Sequence, residues 1–146
     1  MSDPFNLKRF LDAQNPIFDA VREELRRGRK QSHWMWFVFP QLKGLGYSSM
    51  AQEYGISSRA EAVAYLADPI LGPRLTECTR LAVAVAGRSA EDIFGDIDTM
   101  KFRSSMTLFA EVAGDNVDFA EALRKYFGGR PDQLTLDRLR SESPAQ

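Results

Sequence analysis

The sequence is poor in the residues from which disulfides and zinc sites are built. It contains one cysteine, Cys78, and one histidine, His33, among 146 residues. A single cysteine excludes an internal disulfide, and one cysteine with one histidine leaves too few ligands for a Cys/His zinc site. Residue counts leave a carboxylate site for Mg²⁺ or Ca²⁺ open, but no pattern in the chain indicates one. We therefore assign no metal and no cofactor.

A surplus of charge and a long apolar run are also missing. The formal net charge is −1, so overall charge gives no reason to expect binding to nucleic acid. The longest apolar runs are far too short to span a membrane, and the first residues lack the charged-then-apolar pattern of a signal peptide. We expect a cytoplasmic protein with neither a membrane nor a nucleic-acid partner.

What the sequence does contain suits one folded domain. Hydrophobic residues make up 44% of the chain and charged residues 27%, and both values are ordinary for globular proteins. A chain of 146 residues can bury a core without disulfides, and no repeat or low-complexity linker divides it. We predict a single domain over residues 1–140 and a disordered polar tail over residues 141–146.

Helical spacing is clearest in the first part of the chain. Ile17, Val21 and Leu25 are four residues apart and form one apolar stripe, which Gly28 ends. We predict that Asn15-Pro16 begins this helix. Its charged residues, predicted to face water, are Glu23, Glu24, Arg26 and Arg27.

Helix-boundary residues recur further along the chain. The predicted N-caps include Ser48, Ser58 and Ser89. Gly72-Pro73 is expected to interrupt and bend the helix that follows Asp68-Pro69. No two segments have the pattern of paired strands. The signals together predict an all-α fold, a single compact domain of roughly seven to nine short helices that is not a simple up-down bundle.

Residues 28–50, here called the aromatic segment, differ most from the rest of the chain in composition. They hold both tryptophans, Trp34 and Trp36, together with the only histidine and a glycine-containing loop. The run after Ser32 is predicted as a short helix that Ser32 caps and Pro40 ends, although a buried strand has the same pattern. On a helix the two tryptophans point about 200° apart. We therefore expect one in the core and the other at the edge of a pocket.

Two polar concentrations are candidates for chemistry. The first runs from Lys30 to His33, and the second from Asp98 to Ser105 on a predicted helix. Helical counting puts Asp98, Lys101 and Ser105 on one face. We expect the two concentrations to meet across one pocket. The alternative for each is structural: lysines on a solvated face, a histidine packed on aromatic rings, and serines that allow close helix packing.

The candidate site residues come from both concentrations and from the loop that follows Pro40. Basic and aromatic side chains can bind a phosphate or carboxylate and stack on a ring, whereas histidine titrates near neutrality and can transfer protons. The candidate catalytic residues are His33 and Lys101. The candidate ligand-binding residues are Lys30, Ser32, Trp34, Trp36, Gln41, Gly44, Gly46, Tyr54, Asp98, Ser104 and Ser105.

The run from Gly28 to Leu42 resembles the signature of a bacterial family known as domain of unknown function 1810. The similarity continues through Gly44-Leu45-Gly46 and from Lys101 to Phe109, and it covers most of the chain. The resemblance implies a compact helical domain in a cytoplasmic bacterial protein, and it implies no established reaction. The family is sometimes labelled calpastatin, but this chain resembles no disordered protease-inhibitor repeat.

Three functions fit these observations. A small-molecule-binding domain would hold an anionic, nucleotide-like or phosphorylated ligand in a pocket at residues 29–48. An enzyme would use the same pocket, with His33 as general acid or base and Lys101 or Lys30 stabilising negative charge. A docking module would expose the aromatic segment to a protein partner. The first two functions require His33 to lie near the helix that carries Asp98 and Lys101.

Overall fold

Ten α-helices form the regular structure of residues 3–142, the part of the chain that the computed structural model describes. In chain order they are α1 (Lys8–Gln14), α2 (Phe18–Arg27), α3 (Met35–Val38), α4 (Ser49–Tyr54), α5 (Arg59–Ala67), α6 (Leu71–Ala84), α7 (Ala90–Phe94), α8 (Asp96–Val112), α9 (Val117–Phe127) and α10 (Gln133–Arg140). No strand occurs in this range, where Leu42 and Ile56 form a single isolated bridge. The prediction of an all-α domain is confirmed, with a helix number close to the predicted one.

Helix α8 is the centre of the domain. It packs against α3, α5, α7, α9 and α10. Phe102 on α8 is fully buried, and its ring centroid lies 5.0 Å from that of Phe39 and 4.7 Å from that of Phe94. Aromatic rings at these distances attract one another beyond the burial of their area. The aromatic segment therefore forms one wall of the core around α8. None of the helices between residues 3 and 142 is long and apolar enough to cross a membrane.

Several helix ends lie where the sequence predicts them. The hydroxyls of Ser48 and Ser58 each accept a bond at 3.1 Å from a backbone N–H three residues further on. Ser89 and Asp92 form a reciprocal capping box at the start of α7. Gly28 ends α2 with a φ of 69°, in the left-handed region that glycine adopts without strain. These ends are predictable because each depends only on residues a few positions apart.

The prediction that Asn15-Pro16 begins α2 is wrong. The Asn15 N–H donates to the Leu11 carbonyl at 2.9 Å, so Asn15 ends α1, and α2 begins at Phe18. The proline that follows has no N–H with which to continue the hydrogen-bond pattern of α1. Asp3 supplies the cap of α1, because its carboxylate accepts bonds from the N–H groups of Leu7, the N-cap residue, and Lys8, the first residue of the helix.

Pro73 does not interrupt α6. The helix begins at Leu71, so Pro73 lies in the first turn, where the missing N–H needs no partner. The Asp68 carboxylate accepts bonds from the N–H groups of Ile70 and Leu71 at 3.0 and 2.9 Å. The helix continues unbroken to Ala84, because the proline occupies one of the few helical positions that tolerate it.

Gly72 lies where α5 and α6 touch, and it yields a stability prediction. A Cβ at position 72 would lie 2.1 Å from the carbonyl oxygen of Leu66, a backbone atom that cannot move away alone. We expect Gly72→Ala to lower the free energy of unfolding by about 1–3 kcal/mol. Urea unfolding followed by circular dichroism measures the loss. Gly114→Ala is the control, because a Cβ there meets nothing within 4 Å; equal losses in both variants would contradict the close approach.

The chain after α10 is described only as far as residue 142. Ser141 is the C-cap of α10, and the Glu142 carboxylate accepts a bond from the Arg59 N–H at 2.7 Å. The rest of the predicted disordered tail, residues 143–146, lies outside the described residues.

Candidate functional site

Glu24, which was predicted to face water, is buried and organises the start of the aromatic segment. The residue is 8% exposed. Its carboxylate accepts bonds from the N–H groups of Gln31 and Ser32 at 2.7 and 3.0 Å. It also accepts bonds from the Ser32 hydroxyl at 2.6 Å and from the Trp34 indole N–H at 3.0 Å. The prediction is wrong because Glu24 follows Val21 by three residues, which places it at the edge of the apolar stripe.

The Glu24 carboxylate also replaces the predicted cap of α3. The Ser32 hydroxyl donates to Glu24, and α3 begins at Met35 without a side-chain cap. Burial raises the pKa of the Glu24 carboxyl, but the hydrogen bonds to its charged form outweigh burial and hold the pKa below its ordinary value. The loop from Gly28 to Trp34 is therefore folded around a negative charge.

Lys30 connects this loop to α7 and α8. Its backbone N–H donates to the Ile93 carbonyl at 2.7 Å. Its ammonium lies 2.8 Å from the Asp98 carboxylate and 5.2 Å from the centroid of the Trp34 ring, and the side chain is 8% exposed. The two polar concentrations that the sequence singled out therefore meet.

Lys101 reaches the same carboxylate from within α8. Its ammonium lies 3.8 Å from the Asp98 carboxylate and 4.6 Å from the centroid of the Trp36 ring. We call Lys30, Trp34, Trp36, Asp98 and Lys101 the lysine cluster. Two ammonium groups share one carboxylate, so these five residues by themselves carry one surplus positive charge, beside the Glu24 carboxylate that bonds to the Trp34 indole.

The two tryptophans diverge as predicted. Trp34 is 1% exposed and belongs to the core, whereas Trp36 is half-buried. The Trp36 indole N–H is buried and has no hydrogen-bond partner in residues 3–142. It borders a cavity of about 10 Å³, whose lining includes Gln41, Tyr54 and Lys101. A cavity of this volume holds about one water molecule, so it cannot contain a nucleotide-like ligand.

His33 lies in the loop between two members of the lysine cluster, but it is exposed. The alternative of a histidine packed on aromatic rings in the core therefore does not hold. Lys30, three residues before His33, is held by Asp98, and Trp34, the next residue, is held by Glu24. The loop thus keeps the imidazole at the surface.

The two candidate serines of α8 are interior residues. Ser104 is 7% exposed and Ser105 is fully buried. The Ser105 hydroxyl has no hydrogen-bond partner among the described residues, so Lys101 does not activate it as a nucleophile. Small side chains at these positions let neighbouring helices approach α8, the structural alternative that the sequence offered.

The two glycines of the loop lie elsewhere. Gly44 has a φ of +97°, and a Cβ there would lie 2.1 Å from the Arg138 guanidinium. A Cβ at Gly46 would lie 2.9 Å from the Ala51 methyl group. Gly44 borders a hollow of about 270 Å³ against α10, and no residue of the lysine cluster lines it. The residues predicted to share one pocket are therefore separated: Gly44 lines this hollow, Gln41 and Tyr54 line the small cavity beside Trp36, and only Lys30, Trp34, Trp36, Asp98 and Lys101 form the lysine cluster.

A larger groove, of about 700 Å³, runs along α6. One face of α6 is exposed. Pro73, Arg80 and Ala84 are exposed on that face and line the groove. None of the predicted site residues lines this groove. The periodicity of a sequence shows that a helix has an exposed side, but it does not show whether that side forms a groove.

The remaining candidates for chemistry are inert. Cys78 is fully buried, and burial raises the pKa of its thiol to about 12, so the reactive thiolate does not form at neutral pH. In the part of the chain from residue 3 to residue 142, no group of three or more His, Cys, Asp or Glu residues could hold a metal ion.

The fold and the site define a class of protein: an all-α domain whose aromatic segment closes onto a central helix through a buried glutamate and a lysine cluster. Within that class, the chain belongs to the family described as protein of unknown function DUF1810, whose model matches residues 4–139. The resemblance noted in the sequence is thereby confirmed.

The chain is also similar to a solved structure, described as the conserved hypothetical protein Rv1873 from Mycobacterium tuberculosis. The two sequences are 58% identical, the match covers 94% of this chain and 99% of that one, and the TM-score is 0.94. No curated protein matches the chain.

Proposed function

We propose that the lysine cluster binds a small anionic ligand through a phosphate or carboxylate group. The observation that carries the proposal is the surplus charge: Lys30 and Lys101 share the single Asp98 carboxylate, at 2.8 and 3.8 Å. A cation that is only partly paired attracts an anion, and partial burial strengthens the attraction because water screens it less. The proposed function is therefore small-molecule binding where the aromatic segment meets α8.

The aromatic rings support the proposal because they hold the lysines in place. Each ammonium lies over one tryptophan, Lys30 at 5.2 Å and Lys101 at 4.6 Å from the ring centroid, and such cation–π contacts favour a fixed position of the charge. The cavity beside Trp36 is only about 10 Å³. The ligand would therefore lie on the surface, with its anionic group at the lysines and with exposed His33 as a further donor when protonated.

Catalysis by the same residues has weaker support. A reaction that depends on His33 and Lys101 needs a site that shields the reacting atoms from water. His33 is exposed, and the adjacent cavity holds about one water molecule. Binding is therefore the function that the geometry supports best.

Protein docking is a second candidate, and a specific observation favours it. Ile97 and Met100 are 73% and 70% exposed on α8. Ile97 precedes Asp98, and Met100 precedes Lys101. Exposed large apolar side chains beside charged ones are typical of protein-binding surfaces. The partner would bind the start of α8 rather than a tryptophan.

The proposal is tested by thermal unfolding with phosphate, nucleotides and sugar phosphates, each compared with chloride at equal ionic strength. A ligand present at 100 times its Kd adds about 2.7 kcal/mol and raises the Tm of a domain of this size by about 5–10 °C. We expect Lys101→Met to abolish the shift, because it removes the surplus charge. Lys43→Met is the matched control, since Lys43 is an exposed lysine of the same segment outside the cluster.

Two results would contradict anion binding at the cluster: no shift with any anion, or a shift that persists in Lys101→Met. The docking candidate has its own variants, Ile97→Ser and Met100→Ser. They are expected to reduce capture of a protein partner while leaving every anion-dependent shift unchanged.

A further inference from the structure

A second binding site is suggested by the hollow between the glycine loop and α10. Its volume is about 270 Å³, and its walls include Leu45 and Tyr47 from the loop and Leu134 and Arg138 from α10. Ligand pockets have volumes of about 300 Å³ or more. The hollow is near this lower limit, so it suits only a small molecule. It shares no lining residue with the lysine cluster.

The Arg138 guanidinium lies close against the backbone of the loop. An ideal Cβ on Gly44 would lie 2.1 Å from Nη2 and 2.7 Å from Cζ of Arg138. The guanidinium thus occupies space that any other residue at position 44 would fill. The φ of Gly44, +97°, is also one that other residues rarely adopt. A glycine at this position leaves room for the cation against the loop backbone.

The charge of Arg138 is available to a ligand. Its side chain forms no ion pair or hydrogen bond within residues 3–142. The adjacent Asp137 also lines the hollow; it accepts a bond from Gln133 of its own helix at 2.9 Å and keeps its negative charge, so a bound carboxylate would have to contact Arg138 closely enough to outweigh that repulsion. A guanidinium offers two parallel N–H groups, a geometry that fits a planar carboxylate.

Two large apolar side chains flank this cation. Tyr47 is 85% exposed and Leu134 is 65% exposed, and both line the same hollow. Exposed apolar surface beside a hollow is typical of a binding site, because a ligand that covers it removes it from water. A flat ring fits such walls better than a flexible chain, since a tyrosine ring stacks favourably on another ring.

We propose that this hollow binds a small aromatic carboxylate, with the carboxylate on the Arg138 guanidinium and the ring between Tyr47 and Leu134. The inference does not depend on the proposed function, because the cation, the walls and the position in the fold are all different. It assigns a role to Gly44, which leaves the space that the guanidinium occupies.

The test is a titration of the isotope-labelled chain followed by two-dimensional NMR, with benzoate as the probe. We expect benzoate to shift the backbone signals of residues 44–47 and of α10. Benzamide, which has the ring without the charge, and acetate, which has the charge without the ring, are expected to bind about 10-fold more weakly or not at all.

Variants locate the anion contact. Arg138→Ala is expected to weaken benzoate binding by about 10- to 100-fold, and Gly44→Ala to weaken it because the new Cβ displaces the guanidinium. Arg140→Ala, an exposed arginine of the same helix outside the hollow, is the control that should keep wild-type binding. Gly44→Ala carries backbone strain, so Arg138→Ala decides the result if the glycine variant does not fold.

The inference is overturned if benzoate and benzamide bind equally, or if benzoate causes no shifts at millimolar concentration. It is also overturned if the shifts persist in Arg138→Ala and disappear in Lys101→Met, because the anion then lies at the lysine cluster. Shifts that disappear in Arg138→Ala and persist in Lys101→Met support it, whether or not the cluster binds its own ligand.

Discussion

Replacing Glu24 with alanine is expected to lower the free energy of unfolding by about 3–5 kcal/mol. Each buried donor that loses its partner costs about 1–3 kcal/mol, and water can replace the carboxylate at only some of these donors. The groups affected are the N–H groups of Gln31 and Ser32, the Ser32 hydroxyl and the Trp34 indole. Urea unfolding measures the loss. Fluorescence of the released Trp34 indole should change in the same transition.

The same carboxylate predicts a loss of stability in acid. The pKa of Glu24 is lower in the folded chain than its ordinary value of 4.5, so the unfolded chain binds more protons in that range. The stabilisation is therefore complete above about pH 4.5 and decreases as the pH falls through the folded-state pKa. Glu24→Gln should remove this dependence, since the amide does not titrate.

Glu23 provides the matched control for both measurements. It precedes Glu24 on α2, but its side chain is 48% exposed and pairs with Arg26 and Arg27 at the surface. Glu23→Ala is expected to change stability by less than about 1 kcal/mol. Comparable losses in the Glu23 and Glu24 variants would contradict the buried network.

Replacing Arg9 with alanine is the other change with a large expected effect, about 3–5 kcal/mol, because it leaves a buried carboxylate unpaired. The Arg9 guanidinium lies 2.9 Å from the Glu61 carboxylate, and the two side chains are 16% and 2% exposed. The guanidinium also donates to four backbone carbonyls, those of Phe5, Asn6, Glu53 and Gly55. It therefore ties α1 to the connection between α4 and α5.

Two variants make this prediction specific. Arg27→Ala removes an arginine that is 65% exposed and pairs with Glu23 at the surface, and less than about 1 kcal/mol is expected. In Arg9→Met/Glu61→Met no charge is left unpaired, so the double variant should be more stable than Arg9→Ala. A double variant that is less stable than Arg9→Ala would indicate that the bonds that Glu61 accepts from the Ser57 N–H and hydroxyl outweigh the cost of the unpaired charge.

Local chemistry explains which helix ends were predictable. The serine caps and the glycine at the end of α2 interact with residues only a few positions away, so they can be predicted from the sequence. Asn15-Pro16 and Gly72-Pro73 were misread for a related reason. A proline fixes its own φ angle. It is compatible both with a helix that ends before it and with a helix whose first turn contains it, so the proline alone does not decide between the two.

The lysine cluster was partly predictable. Helical counting placed Asp98 and Lys101 on one face, and the composition of the aromatic segment singled out Lys30; these residues do meet, but in an ion pair rather than across the expected pocket. The size of the space between them was not predictable. Whether aromatic side chains enclose a ligand-sized pocket or fill it depends on packing to within the volume of a single methyl group, and here they leave about 10 Å³.

The sequence by itself determined the all-α class, most of the helix boundaries, the position of one tryptophan in the core and the family to which the chain belongs. These depend on periodicity and on contacts between near neighbours. Only the tertiary structure decided that Glu24 is a buried acceptor, that Lys30 and Lys101 share one carboxylate, and that the Arg138 guanidinium lies against Gly44. Each of these contacts involves a charged group, and apart from the Asp98–Lys101 pair within α8 each joins residues that are distant in the sequence or belong to different elements. Whether a charge becomes buried and paired depends on which surfaces the folded chain brings together.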